Sequence, residues 1–243
     1  MSVSVKRIAM WSGPRNISTA MMRAWENRSD TFVTDEPFYA CYLHDTGIEH
    51  PGRSEVLASQ STDWQTVIND CISLTDSDHT IHYQKHLTQH MLPHLQLDWL
   101  QQLVNVFLIR SPAEVVASYA KARPDLTAED VGFAQQQRLY KYVKTYVHTS
   151  PLVISSKQVL KDPDAALRKI CSYADIDFDE SMLQWPTGKR DSDGVWAPWW
   201  YSNVEKSTGF APYVEKNITL DKNQQRIADR CEPYYQAMLE HSN

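Results

Sequence analysis

Several things are scarce or missing in these 243 residues, and each closes a class of function. There is no basic excess: 24 Lys and Arg face 30 Asp and Glu, a formal net charge of −6. That balance argues against a general nucleic-acid binder, although a few local arginines can still grip a compact polyanion. The four cysteines, Cys41, Cys71, Cys171 and Cys231, are scattered without CxxC spacing. Neither a zinc site nor a disulfide framework is indicated, and reduced thiols are the default. Long apolar runs are absent too. Lys6 and Arg7 interrupt the first one, which ends at Gly13, so neither a signal peptide nor a membrane span is expected, and the reading is a soluble, cytoplasmic protein. His82, His86, His90 and His94 recur every four residues, but His82 falls in a strand, HExxH spacing is missing and Pro93 breaks the helix. No metal site is expected from them.

What is present is enough apolar material, 42% of the chain, for one domain over residues 1–243. Val5–Trp11, Thr31–Thr34, Thr80–Lys85, Val104–Ile109 and Leu152–Ser155 read as strands. Val104–Ile109, apolar at every position but Asn105, is a run of the kind found inside parallel sheets. Between them lie helical patterns: Ser18–Glu26 capped by Ser18 or Asn16, a stripe from Trp64 to Ile72, a helix opened by Pro112, and a long one from the Thr127/Asp130 capping box to about Val147. Two more helices carry Leu167, Ile170 and Cys171, then Ile227, Cys231 and Met238. Residues 44–61 read as an exposed loop, and 186–213, where Trp, Pro and Gly mix with charges, as a long ordered loop or short pieces. Strands alternating with helices predict an α/β fold in three layers, a mostly parallel sheet flanked by helices, P-loop NTPase-like, with its site at the carboxyl ends of the strands.

Two stretches at such ends carry the chemistry. Trp11-Ser12-Gly13-Pro14-Arg15-Asn16-Ile17-Ser18-Thr19 leaves a strand and opens a helix. Phe107-Leu108-Ile109-Arg110-Ser111-Pro112 does the same and reaches Ser118. Each combines free backbone N–H groups, hydroxyls and an arginine, which is the composition of a phosphate cradle. The first lacks the GxxxxGK[ST] spacing of an NTPase P-loop, and a tight turn capped by Ser18 would also explain it. In the second, Arg110 ends a buried strand and needs an anion, either a ligand or Glu114. Ser118 lies six residues past Pro112, roughly 9 Å along the helix, so both can serve one ligand if the helix runs beside it.

These segments resemble those of the sulfotransferases that use 3′-phosphoadenosine 5′-phosphosulfate. Pro14-Arg15-Asn16-Ile17-Ser18-Thr19 is similar to the family's P-[KR]-[ST]-G-[ST]-[ST] in its proline, basic and paired hydroxyl positions, with Asn16-Ile17 altered. Arg110-Ser111-Pro112 with Ser118 reproduces R-[ND]-P and a serine eight residues after the arginine. Asp162-Pro163 through Leu167, Ile170, Cys171, Tyr173 and Ile176 resembles the family's "DP" start and L-x-x-[IL]-C helix end. Lys189-Arg190 with Gly194-Val195-Trp196 resembles the late basic loop that closes on the 3′-phosphate, with Asp191 where the glycine stands. The resemblance spans residues 8–210.

It implies sulfuryl transfer to a hydroxyl, or less readily an amine, of a small-molecule acceptor, with no metal, nucleic acid or membrane partner. The co-substrate would be held by Gly13, Pro14, Arg15, Asn16, Ser18, Thr19, Arg110, Ser118, Lys189 and Arg190. Arg15, the hydroxyls and the helix N-terminus would neutralise charge on the transferring group. A base is also needed. Glu36, in Asp35-Glu36-Pro37 after a strand, is preferred; His86, which follows Lys85 much as in the family's K-x-H-L-P segment, is second. Trp185, Trp196, Trp199, Trp200, Tyr201, Phe210 and Tyr213 read as lid or core. Two rivals stand: a P-loop small-molecule kinase, which should need magnesium and a P-loop lysine, and a non-catalytic nucleotide-binding protein, for which the altered Asn16-Ile17 speaks.

Overall fold

A computed structural model describes residues 5–242. Strands β1 (Lys6–Ser12), β2 (Thr31–Asp35), β3 (Ile81–Leu87), β4 (Val104–Ile109) and β5 (Leu152–Ser155) form one sheet in the order β2-β3-β1-β4-β5. Every pairing is parallel, with Ile8 opposite Tyr83 and Val104, and Leu108 opposite Ile154. The helices are α1 (Ser18–Glu26), α2 (Tyr39–Thr46), α3 (Arg53–Ser59), α4 (Trp64–Ser73), α5 (Pro112–Tyr119), α6 (Phe133–Tyr146), α7 (Ser156–Lys161), α8 (Pro163–Ala174), the short α9 (Ala197–Trp200) and α10 (Lys222–Leu239).

Alternation along each strand divides its side chains between two cores. Ile8, Met10, Tyr83, Val106, Leu108 and Ile154 meet α1 and α8 on one face. Ala9, Trp11, Phe107, Ile109 and Val153 meet α6 and Met238 of α10 on the other. Both faces are covered, so even the polar residues of β3 and β4, His82, Gln84, His86 and Asn105, are buried. The result is the expected three-layer α/β fold.

Several local expectations need correction. Residues 44–61 are not one loop: α2 runs through Thr46 to Gly47, whose φ of 65° ends it in the left-handed region, and α3 follows. Only Val56 of α3 is buried, so no apolar stripe announced that helix. Thr127 and Asp130 do pair, the Thr127 backbone N–H donating to Asp130 Oδ2 at 2.7 Å, but they close a turn. Helix α6 starts later, behind Gly132 at φ 72°, where a side chain would strike Thr88 Oγ1 at 2.6 Å. Strand β3 also runs on to Leu87, held in register opposite Ser12 of β1, and this extension decides the fate of His86. No described helix is long and apolar enough to cross a membrane.

Candidate active site

The two strand ends form one cradle. Asn16 Nδ2 donates to the carbonyl of Leu108 at 2.7 Å, and Gln136 Nε2 of α6 donates to the carbonyls of both Trp11 and Leu108 at 2.9 Å. Arg110 Nη1 donates to the carbonyl of Arg15 at 2.7 Å, and Arg15 Nε donates to Ser118 Oγ at 3.2 Å. Residues distant in sequence are thereby fixed around one opening, a cavity of about 650 Å³ lined by Pro14 to Ala20, Arg110 and Ser118.

Neither Ser18 nor Asn16 caps α1. Ile17 occupies the N-cap position at φ 53° without a side-chain hydrogen bond, while the Asn16 side chain turns to β4 and donates through Nδ2 to the Leu108 carbonyl. Arg15 is left-handed as well, at φ 57°. Non-glycine residues in this region cost about 1–3 kcal/mol each, and alternating backbone signs of this kind aim successive N–H groups into one anion-binding hollow. The N-terminal amides of α1 are therefore free of a side-chain cap, and Ser18, Thr19 and Ala20 line the cavity.

The charges point the same way. Burial, and then the nearby Arg110, lower the Arg15 guanidinium from its ordinary range. No carboxylate pairs with Arg15 among the described residues; its partner is the Ser118 hydroxyl. Arg110 does reach Glu114, but at 3.5 Å and on one nitrogen, so the paired-arginine explanation accounts for part of its charge and leaves Arg15 open.

A second, acidic group lies deeper. Lys85 Nζ donates to Asp35 Oδ1 at 2.8 Å, Glu36 Oε1 at 2.5 Å and the Tyr201 hydroxyl at 2.8 Å. Tyr201 in turn donates to Asp35 Oδ2 at 2.6 Å and accepts from Trp196 Nε1 at 3.1 Å. Backbone bonds hold Glu36 between β3 and α2, from its own N–H to Lys85 O and from Tyr39 N–H to its carbonyl. It sits at φ 42° and is 5% exposed, yet lines the cavity. Burial raises its carboxyl to about 7; Lys85 opposes that shift and Asp35 adds to it. Burial also works against the Lys85 ammonium, but Asp35 and Glu36 outweigh it and hold Lys85 well above its usual value. The trio thus carries Asp35 and Lys85 as a pair and Glu36 as a carboxyl poised to take a proton at neutral pH.

Three residues named from sequence are not brought here. Because β3 is still extended at His86, that side chain faces away from Lys85 and stacks on Trp11 with centroids 4.2 Å apart. It is buried, bonded to Gln84 Oε1 at 3.0 Å, and burial lowers it to about 3; it is a core histidine. Lys189 and Arg190 lie at the far end of α1, where Arg190 pairs with Glu26 at 3.6 Å and its backbone N–H donates to Asp193 Oδ2 at 2.9 Å. Asp193 also takes buried Arg23 at 2.7 Å. This loop is a clamp on α1 that delivers Gly194 N–H to Asp35 and Trp196 to Tyr201. Gly13 sits under the cradle; a Cβ there would meet the carbonyl of Val131 at 2.7 Å. The four spaced histidines scatter: His82 stacks on Phe32, His90 lies between Tyr39 and Tyr42, and His94 packs on Trp64.

Sequence reasoning missed Tyr201 as a polar partner, and His50, Gln89, His90, Lys121 and Lys216 as cavity residues. The one usable signal was Lys85, a charge inside a strand that demands a buried counter-ion.

This assembly is a parallel α/β sheet whose first strand ends in a turn bearing Arg15, with Arg110 and a buried carboxyl, Glu36, at the same cavity. Residues 6–242 match the family described as "Sulfotransferase domain", and the chain belongs to that family. Its fold is shared by the sulfotransferase domain from the curacin biosynthetic pathway (TM-score 0.56, 14% identity, 95% of this chain and 99% of that one) and by mouse sulfotransferase SULT7A1 complexed with PAP (0.53, 14%, 95% and 84%). Among curated proteins it is similar to branched-chain-amino-acid aminotransferase-like protein 1 of Arabidopsis thaliana, 34% identical over 234 residues, 96% of this chain and 42% of that protein. The chain spans about two fifths of the length of such relatives.

Proposed function

We propose that this protein transfers a sulfuryl group from 3′-phosphoadenosine 5′-phosphosulfate to a hydroxyl of a small-molecule acceptor in the cytoplasm. The observation that carries this is the cradle itself: Arg15 and Arg110 face one another beside an uncapped helix N-terminus. Pro14, Asn16, Ser18 and Thr19 frame the 5′ end of the nucleotide, with Gly13 beneath them; Arg110 and Ser118 face its 3′-phosphate. Arg15 neutralises the charge that spreads over the transferring group. Glu36 accepts the proton of the acceptor hydroxyl, and Lys85, already bonded to Glu36 and Asp35, keeps the carboxyl oriented.

The deciding experiment is calorimetric titration with 3′-phosphoadenosine 5′-phosphate against ATP, each with and without magnesium. Preferential, metal-independent binding of the bisphosphate is expected; tighter binding of magnesium-ATP would assign a kinase instead. Arg110→Ala is expected to weaken the bisphosphate by about 10- to 100-fold, the loss of a charge-assisted contact of about 1.5–3 kcal/mol. Lys189→Ala should leave nucleotide affinity within about 0.5 kcal/mol, since Lys189 is exposed and off the cavity.

A rate–pH profile reads the base. With the Glu36 carboxyl raised to about 7 by burial, kcat/KM should climb as pH rises through about 7 and level off above it. A profile already flat from pH 5 upward would remove Glu36 from that role.

A further inference from the structure

Asp35 and Glu36 are adjacent, both buried, and share one ammonium, that of Lys85. Two buried carboxylates beside a single cation do not both ionise readily, so the donors around each decide which of them takes a proton. They are unequally supplied. Asp35 accepts from Lys85 Nζ on Oδ1 at 2.8 Å, and on Oδ2 from the Tyr201 hydroxyl at 2.6 Å and the Gly194 N–H at 3.2 Å. Glu36 accepts from Lys85 on Oε1, and the nearby Tyr201 lowers its carboxyl against the larger effect of burial. Two of the three donors to Asp35 thus come from one stretch, residues 194–201, far from β2 in the chain.

That stretch is itself fixed. Asp193 pairs with buried Arg23 of α1 at 2.6 Å and accepts the Arg190 N–H at 2.9 Å. A side chain at Gly194 would overlap the Trp196 ring, and Trp196 Nε1 donates to the Tyr201 oxygen at 3.1 Å. That oxygen also accepts from Lys85 at 2.8 Å and gives its one proton to Asp35, so every hydrogen-bonding site of the phenol is used. Burial, and then Asp35, hold Tyr201 well above the usual phenol range, which keeps it a donor. The other titratable groups around the trio have fixed charge near neutral pH. Burial raises Tyr39 of α2 and Tyr119 of α5, and lowers His50 to about 4, His86 to about 3 and His90 well below its usual value, so all five are neutral. Arg15, which lines the same cavity, is a cation throughout.

We infer that Tyr201 is a positioning residue for the base: donating to Asp35 and accepting from Lys85, it keeps the negative charge of the carboxyl pair on Asp35 and directs the incoming proton to Glu36. The inference rests on the sulfuryl-transfer reading, in which Glu36 takes the proton of the acceptor hydroxyl. It also gives the 189–196 loop a role other than the phosphate contact suggested by its composition. The loop fastens Tyr201 over the base.

The test follows the Glu36 carboxyl by carbon-13 NMR of the full chain labelled at its glutamate carboxyl carbons, with the signal assigned by its loss in Glu36→Gln. In wild type the signal should titrate with a midpoint at about 7. In Tyr201→Phe, Asp35 loses a donor and competes for the proton, so the midpoint should move up by about one pH unit, the scale of one hydrogen bond to a charged group. Trp196→Phe, which removes a donor to the Tyr201 oxygen, should move it the same way by less. An unmoved or lowered midpoint in Tyr201→Phe, whatever the change in thermal stability, would make Tyr201 a scaffold residue and overturn the inference. Should that variant not fold, Trp196→Phe decides by the same signal; failure of both to fold would place the pair in the scaffold and likewise overturn it. Titrating 3′-phosphoadenosine 5′-phosphate into the same samples separates this inference from the reading beneath it. Its affinity should agree within about twofold between wild type and Tyr201→Phe. A loss of about tenfold or more with an unmoved midpoint would make Tyr201 a nucleotide contact instead. A shifted midpoint in a protein that does not bind the bisphosphate would overturn the nucleotide reading and leave Tyr201 in control of the Glu36 proton.

Discussion

Glu36→Gln is expected to lower kcat by about 10²- to 10⁴-fold, the usual contribution of a positioned general base, while the folded protein becomes no less stable at pH 8. The amide keeps the size of the side chain and an oxygen for Lys85 but cannot take a proton. Its effect on stability follows from the direction of the shift. Burial raises the Glu36 carboxyl to about 7 in the folded chain, above its ordinary value, so the folded state holds that proton more tightly. The stability this supplies is complete below the ordinary carboxyl pKa and is lost as pH rises through about 7. Above that pH the wild type carries two buried carboxylates against one ammonium, and glutamine removes the surplus charge while Asp35 still pairs Lys85 at 2.8 Å. Thermal unfolding at pH 5 and pH 8, set beside the rates, checks this. A variant that unfolds more readily at pH 8, or that keeps wild-type kcat, would show Glu36 to be a structural partner of Lys85.

Arg15→Ala should reduce kcat/KM by about 10²- to 10³-fold, the scale seen when one donor to a developing charge is removed. The free protein should again lose no stability. Arg15 has a hydroxyl partner, Ser118, rather than a carboxylate, and its charge is depressed by burial and by Arg110; alanine relieves that repulsion. The backbone carbonyl of residue 15 remains to accept from Arg110 at 2.7 Å, so the cradle keeps its outline. Lysine is not expected to restore the rate, because it lacks the fork that lets Arg15 hold Ser118 through Nε and still face the cavity. Thermal shifts without and with the bisphosphate separate the two effects: the variant should match wild type alone and gain less from the nucleotide. Loss of activity accompanied by an equal loss of stability without nucleotide would place Arg15 in the scaffold.

Both expectations share a cause. Arg15, Ile17 and Glu36 all have positive φ, and all lie where β1 and β2 leave the sheet. Strain and unpaired charge are gathered at the site, and the two covered faces of the sheet compensate.

The parallel α/β arrangement was legible in the sequence because apolar runs and the turn residues that end them are local properties of the chain. The cradle was legible for the same reason: Arg110 with Ser118 and Trp11 to Thr19 are short segments whose spacing survives folding. Other features depended on partners far away. Whether residue 86 is strand or turn was set by the pairing of β3 with β1, which keeps the chain extended to Leu87 and sends Lys85 and His86 to opposite faces. Lys189 and Arg190 had the composition of a phosphate loop, but Glu26 and Asp193 captured Arg190 at the other end of α1. Tyr201 reaches Asp35 across 166 positions of chain, and Tyr39 holds His50 and His90 by a single hydrogen bond and by stacking, neither of which has a sequence period. By itself the sequence determined the layers, the strand ends and the residue types of the turns that follow β1 and β4, because those follow from hydrophobic burial and backbone turns. Only the tertiary structure decided which carboxyl is buried beside the cavity and which cation it meets there, because desolvation and long-range hydrogen bonding exist only once distant segments meet.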